Sequence, residues 1–230
     1  MRNDPPALML FAAGFGSRMR PLTDTRPKPL IEVAGRPLID HALALGRAVG
    51  AQPIVVNAHY LPDQLEQHLA GTDVTVLREA PDILDTGGGL RNALPHLGAG
   101  PVLTMNTDAV WAGPNPVAQL LAQWNPARMD ALLTCVPMTH VLGRQGGGDF
   151  DIDDQGALHR GSAYVYGGVQ ILKTDLLHDV AERAFSLNVV WNMMADRGRL
   201  YGARYAGRWC DVGHPGGIKE AEEMLAQYHV

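Results

Sequence analysis

Short apolar runs, set apart by Gly, Pro and Asn, alternate with stretches of three- to four-residue apolar periodicity as far as residue 136. Leu8–Phe11, Pro53–Asn57, Val74–Leu77, Val102–Met105 and Ala131–Val136 have strand length and are apolar almost throughout. That is the pattern of strands covered on both faces. The intervening periodic stretches predict helices. Pro37 precedes one that ends near Gly50, Pro62 opens a second within Leu61–Leu69, and Pro116 opens a third behind a capping Asn115. Gly87–Leu94 predicts a helix that begins on three glycines. Beyond residue 140, Phe150–Ile152, Tyr164–Leu172 and Leu200–Tyr205 alternate more and predict antiparallel or mixed strands. Helices are expected near Thr174–Ala181 and Asn188–Arg197, with a last one from about Pro215 to Gln227. No repeat, low-complexity tract or linker divides the chain. The expectation is one doubly wound (Rossmann-like) α/β domain over residues 1–230. Its central sheet should be mixed but mostly parallel, with ligands at the carboxyl ends of the strands.

Composition narrows the function. With 230 residues the chain is long enough for one large α/β core. A net charge of −5 gives a nucleic-acid partner no electrostatic support. No apolar run approaches transmembrane length, and the N-terminus lacks a basic region and cleavage site, so a cytoplasmic protein without a membrane partner is expected. Cys135 and Cys210 stand in apolar surroundings and are read as reduced thiols. The nine histidines form no zinc-type spacing, and no G-x-S-x-G is present, so zinc and serine-hydrolase chemistry have no support. His41, His59 and His68 are assigned to helix faces or loops, and Trp124 and the Met193-Met194 pair to the core. Nothing in the pattern specifies an oligomeric state.

The chemistry concentrates after the first strand, where residues 14–30 read G-F-G-S-R-M-R-P-L-T-D-T-R-P-K-P-L. Gly14 and Gly16 let backbone N–H groups approach an anion, and Arg18 and Lys28 add positive charge beside them. Such a loop suits a polyphosphate. Met19 stands where a dinucleotide fingerprint needs a third small residue, and the Gly-Lys-Ser/Thr of a P-loop is missing.

The pattern G-x-G-S-R-x-x-P-L-T followed by P-K-P-L resembles the signature of sugar-1-phosphate nucleotidyltransferases. That family condenses a nucleoside triphosphate with a sugar 1-phosphate and releases pyrophosphate on a nucleotide-diphospho-sugar transferase fold. The resemblance implies that Ala13, Gly14, Gly16, Ser17 and Arg18 hold the nucleotide, with Arg18 and Lys28 catalytic. Glu79 to Gly89, E-A-P-D-I-L-D-T-G-G-G, resembles the L-E-T-G-G-G element of the N-acetylmuramate-1-phosphate uridylyltransferase branch, with Asp85 in place of Glu. It implies Glu79 and Gly87 near the nucleobase, with N–H groups of the glycine-rich helix start facing a base or sugar.

Met105-Asn106-Thr107-Asp108 stands where relatives carry Gly-Asp, and Trp209-Cys210-Asp211-Val212-Gly213 resembles W-x-D-V-G. These imply a shared divalent cation, magnesium, on Asp108 and Asp211. Gly148-Asp149-Phe150 is similar to the G-D-F segment of the same branch, and Tyr166-Gly167-Gly168-Val169 to the sugar-contacting strand. Asn106, Asp149 and Gly168 are thereby implied on the sugar side. Glucose-type members carry E-K-P just before that strand, whereas this chain has His159-Arg160-Gly161-Ser162. The acceptor implied is N-acetylmuramate 1-phosphate, with UTP as donor, in cell-wall sugar recycling. Arg144, Arg160 and Arg208 are the cationic candidates for its lactyl carboxylate. A mannose-1-phosphate guanylyltransferase, a choline-phosphate cytidylyltransferase and a non-catalytic nucleotide-sugar sensor remain alternatives at this point. The β-helix domain that some relatives append is not expected.

Overall fold

The computed structural model describes residues 6–228. In chain order its strands and helices are β1 (Ala7–Phe11), β2 (Glu32–Val33), β3 (Arg36–Pro37), α1 (Leu38–Arg47), β4 (Ile54–Ala58), α2 (Pro62–Leu69) and β5 (Val74–Arg78). There follow α3 (Asp85–Leu97), β6 (Val102–Asn106), β7 (Ala109–Ala112), α4 (Pro116–Gln123), β8 (Ala131–Pro137), β9 (Val141–Leu142), β10 (Phe150–Ile152) and β11 (Leu158–Arg160). The last are β12 (Tyr164–Leu172), α5 (Leu187–Asp196), β13 (Leu200–Arg204), β14 (Arg208–Asp211) and α6 (Pro215–Tyr228).

The apolar run of β1 lies in the interior of a nine-stranded sheet. It pairs in parallel with β4 through Leu10↔Val56 and with β6 through Leu10↔Met105, and β5 extends the parallel set beyond β4. β12 runs antiparallel to both β6 and β8, and β13 lies parallel to β8. Both faces are covered, so alternate residues of one strand feed two cores. Met9 joins Leu90, Ala93 and Trp191 from α3 and α5, whereas Leu8 and Leu10 join Ile39, Leu43, Leu65 and Leu120 from α1, α2 and α4. The doubly wound, mixed and mostly parallel sheet expected from the pattern is therefore present. Cys135 and Cys210 are buried, free thiols.

Two additions shape the carboxyl edge of the sheet. β12 pairs with β6 only from Val169 onward, so its first half runs past the end of β6 and takes β10 as a neighbour, with β11 beyond β10. The second addition is a small sheet of order β7-β14-β9, which packs against α6 over Val110, Cys210, Val212 and Met224. One predicted helix is replaced. Thr174–Ala181 holds only a 3-10 turn, Asp175–Asp179. Arg91 of α3 donates to the carbonyls of Leu177 and Val180, holding that segment in its irregular path.

Candidate active site

The carboxyl ends of β1, β4 and β5 are laced by one buried relay. The amide of Ala12 donates to Asn57 Oδ1 at 2.8 Å, Asn57 Nδ2 donates to Glu79 Oε1 at 2.7 Å, and the amide of Leu84 donates to Glu79 Oε2 at 2.7 Å. Asn57 and Glu79 are each 4% exposed. The end of β6 is tied in separately, because Thr107 Oγ1 donates to the carbonyl of Phe11 at 2.7 Å. That bond gives the unusual Thr107 a role: it fixes the turn that carries Asp108.

Above these strand ends lie two adjoining cavities. The first, about 240 Å³, is lined by Ala12, Ala13, Gly14, Lys28, Asn57, Thr107 and Asp108. The second, about 300 Å³, is lined by Arg144, Asp149, Arg160, Tyr166, Asn188 and Trp191. Phe11, Asp85, Thr86 and Asn106 line both, so the two are compartments of one crevice. Asp85 holds a positive φ of 58° at the first turn of α3. An Asp in that conformation is unusual enough to mark the junction as a constrained spot.

Charge gathers at the mouth of the first compartment. Lys28 Nζ lies 3.0 Å from Asp108 Oδ2, with the lysine side chain 12% exposed. β14 brings Asp211 to the same place: Asp211 pairs with Ala109, and the amide of Val212 donates to the carbonyl of Asp108 at 2.9 Å. A Cβ on Gly213 would meet the Asp211 carboxylate at 2.9 Å and Arg18 Nη1 at 3.2 Å, so Arg18 and Asp211 share one spot. Burial, and then the charge of Asp108, push the Asp211 carboxyl above its usual range, with Lys28, Arg18 and Arg144 pulling the other way. A pair of partly buried carboxylates whose charges oppose each other, flanked by cations, is a donor set that suits a hard divalent cation completed by phosphate oxygens. Among the described residues no three metal-binding side chains converge.

The glycine-rich loop holds this arrangement open. Gly16 has φ +63°, and a Cβ there would meet Thr23 at 2.9 Å and Lys28 Cβ at 3.0 Å. Gly14 faces open space, and Ser17–Met19 form a 3-10 turn that exposes Ser17 and Arg18.

Ala13, Gly14, Lys28, Asn106, Asp108 and Asp149 line the crevice, and Arg18 and Asp211 flank its mouth. Other implied site residues are engaged by the protein itself. The amides of Gly87 and Gly88 both donate to the carbonyl of Phe185, at 2.8 and 3.1 Å, so neither is free to read a base. A Cβ on Gly87 would meet the Phe185 ring at 2.3 Å. These glycines are packing contacts between α3 and the segment before α5. Glu79 lies behind the wall with both oxygens engaged by protein. Gly168, at φ +88°, supports rather than lines the crevice: a Cβ there would meet Asn106 at 2.9 Å. Asp149 accepts from Arg144 Nη2 at 2.7 Å and from the amide of Tyr166 at 2.9 Å. Arg208 lies on β14, away from both cavities.

Asn57, Thr86, Asn188 and Trp191 also line the crevice, though none was among the expected site residues. Asn57 left a trace, a polar residue closing the apolar run Ile54-Val55-Val56. Trp191 left none, because a Trp on an apolar helix face reads as core. Here it packs edge-on to Tyr166 at 4.9 Å and donates to the buried Gln170 at 2.8 Å.

A family model described as the MobA-like NTP transferase domain matches residues 8–144. The chain is similar to an N-acetylmuramate alpha-1-phosphate uridylyltransferase of Caulobacter vibrioides, at 38% identity over 99% of this chain and 100% of that one. It is similar to a protein of the same name from Neisseria meningitidis, at 33% identity over 96% of this chain and 98% of that one. Among solved structures, the inositol-1-phosphate CTP transferase from T. maritima superposes with a TM-score of 0.80, at 14% identity, over 99% of this chain and 98% of that one. At that identity the last likeness speaks for the fold alone.

Proposed function

The chain belongs to the MobA-like NTP transferase family and is a sugar-1-phosphate nucleotidyltransferase, and from that premise we propose that it joins UTP to N-acetylmuramate 1-phosphate, releasing pyrophosphate. The observation that carries this reading is the convergence of Lys28, Asp108, Asp211 and Arg18 at the mouth of one compartment, with a second, arginine-bearing compartment opening beside it. Two uridylyltransferases of that name, each matched over nearly its whole length, support the choice of donor and acceptor.

The reaction brings two polyanions together, so the protein must neutralise and align them. The exposed amides of the Gly14–Arg18 loop and the Arg18 guanidinium hold the β- and γ-phosphates and stabilise departing pyrophosphate. Lys28 exchanges its contact with Asp108 for the α-phosphate and the incoming sugar phosphate. A divalent cation, which we assign as magnesium on Asp108 and Asp211, would draw charge from the α-phosphate and from the attacking phosphate. The attacking phosphate is already ionised at neutral pH, so no side chain has to act as a general base. The sugar ring then extends past Asn106 into the second compartment, over Tyr166 and Trp191.

The test is pyrophosphate release in a matrix of UTP, GTP and CTP against N-acetylmuramate 1-phosphate, N-acetylglucosamine 1-phosphate, mannose 1-phosphate and phosphocholine. UTP with N-acetylmuramate 1-phosphate should be fastest by at least about tenfold, which is about 1.4 kcal/mol in transition-state binding. A faster mannose–GTP or phosphocholine–CTP pair would replace the reading, and silence across the matrix would leave only a nucleotide-sugar sensor.

A further inference from the structure

The second compartment holds two arginines, and they differ in what balances their charge. Arg144 is neutralised: its Nη2 lies 2.7 Å from Asp149 Oδ1, and its Nε donates to the carbonyl of Gly147 at 3.0 Å. Arg160 stands apart on each count. Among the described residues no carboxylate lies within 4.0 Å of it, and it donates to no backbone carbonyl.

Arg160 is nonetheless held in place. It ends β11 directly across from Phe150, and its guanidinium lies over that ring, 4.8 Å from the centroid. Its Nη2 donates to Asn188 Oδ1 at 2.8 Å and to Asn192 Oδ1 at 2.9 Å, side chains four residues apart on α5. Both acceptors are neutral amides, so they orient the cation without cancelling its charge. The acidic residue next to Phe150 on β10, Asp151, spends its Oδ1 on the amides of Ser162 and Ala163. Nε and Nη1 of Arg160 therefore keep N–H groups with no protein partner among the described residues, in a cavity that a sugar would fill. A guanidinium that is fixed, stacked and uncompensated is built to receive a planar anion.

We propose that Arg160 binds the acceptor's carboxylate, the one on the lactyl ether of N-acetylmuramate, and so separates that sugar from N-acetylglucosamine. The inference rests on the acceptor reading above. The 1-phosphate is taken up at the Lys28–Asp108 end, so the anion met at Arg160 must belong to another part of the sugar. Arg144, already paired, orders the Asp149 loop.

The experiment compares full-length wild type, Arg160→Gln and Arg144→Gln at saturating UTP and magnesium. It reads the ratio of kcat/KM for N-acetylmuramate 1-phosphate to that for N-acetylglucosamine 1-phosphate. Arg160→Gln should lower the ratio at least about tenfold, mainly through a raised KM for the muramate, and Arg160→Lys should restore part of it. An unchanged ratio in Arg160→Gln beside a high wild-type ratio overturns the assignment while leaving the acceptor reading intact. A ratio that collapses only in Arg144→Gln overturns it too. A wild-type ratio near one overturns both the assignment and the acceptor reading. Should Arg160→Gln fail to fold, Arg160→Lys decides alone: a lowered ratio upholds the assignment and an unchanged one refutes it.

Discussion

Glu79 ties the wall of the crevice together without facing it. Both its oxygens accept, from Asn57 Nδ2 and from the amide of Leu84. Glu79→Gln turns one acceptor into a donor aimed at another donor, and flipping Asn57 only moves the conflict to the amide of Ala12. The expected cost is about 1–3 kcal/mol of stability, read by denaturant unfolding; a variant as stable as wild type would mean the relay is not closed in solution. Asp211 presents the opposite case. Burial and Asp108 raise its carboxyl, so the ionised form costs the folded state stability at neutral pH and nothing once the group is protonated. Asp211→Asn should therefore melt higher than wild type without metal or nucleotide at neutral pH, with the gain vanishing in acid. The same variant should lose metal-dependent pyrophosphate release by about a hundredfold or more. Arg18→Ala and Lys28→Ala should each lower turnover by a similar factor with little change in melting for the exposed Arg18. Near-normal turnover in either would remove it from the phosphate cradle.

At the scale of elements, the long apolar runs were legible and the short ribbons were not. Phe150–Ile152 and Tyr164–Leu172 match β10 and β12 residue for residue. β2, β3 and β9 span only two residues each, too few for alternation to register, and only two residues separate β7 from the end of β6. Yet β7 and β14 bring Asp211 beside Asp108, so motif likeness named the pair and only the ribbon explains their approach. The glycines at the start of α3 were legible as a special helix start, but their packing partner was not. Their amides serve the carbonyl of Phe185, a residue about a hundred positions away that periodicity cannot connect to them. Gly87→Ala should force α3 off the Phe185 segment and destabilise by about 1–3 kcal/mol, with uridine-nucleotide affinity changing through Asp85 and Thr86 instead of through a lost amide contact. A Gly87→Ala variant of unchanged melting temperature would contradict that packing role.

Across the whole molecule, function sits at one edge of the sheet and a stabilising cluster at the other. At the edge away from the crevice, Asp130 binds Lys173 and Arg199, each at 2.8 Å, joining the start of β8 to the end of β12 and the start of β13. Burial raises the Asp130 carboxyl, but the hydrogen bonds of Lys173 and Arg199 outweigh it and hold the group below its usual range. Its stabilisation is thus present above the ordinary carboxylate pKa and is lost as pH falls through the lower folded value. Asp130→Asn should cost about 1–3 kcal/mol at neutral pH, and the gap to wild type should close below about pH 4. A gap independent of pH would show that the hydrogen bonds, not the charge, matter there. No helix among the described residues is long and apolar enough to cross a membrane.

Direct condensation at the α-phosphorus of UTP can be followed by isotope. Wild-type protein is given UTP, magnesium and N-acetylmuramate 1-phosphate carrying oxygen-18 in its phosphate, and the products are weighed by mass spectrometry. Attack by the sugar phosphate on UTP leaves all the label in the UDP-sugar, with oxygen-18 bridging the two phosphorus atoms, and unlabelled pyrophosphate. Label in the pyrophosphate, or UTP consumed with no UDP-sugar formed, would contradict the chemistry assigned to Lys28, Asp108, Asp211 and Arg18.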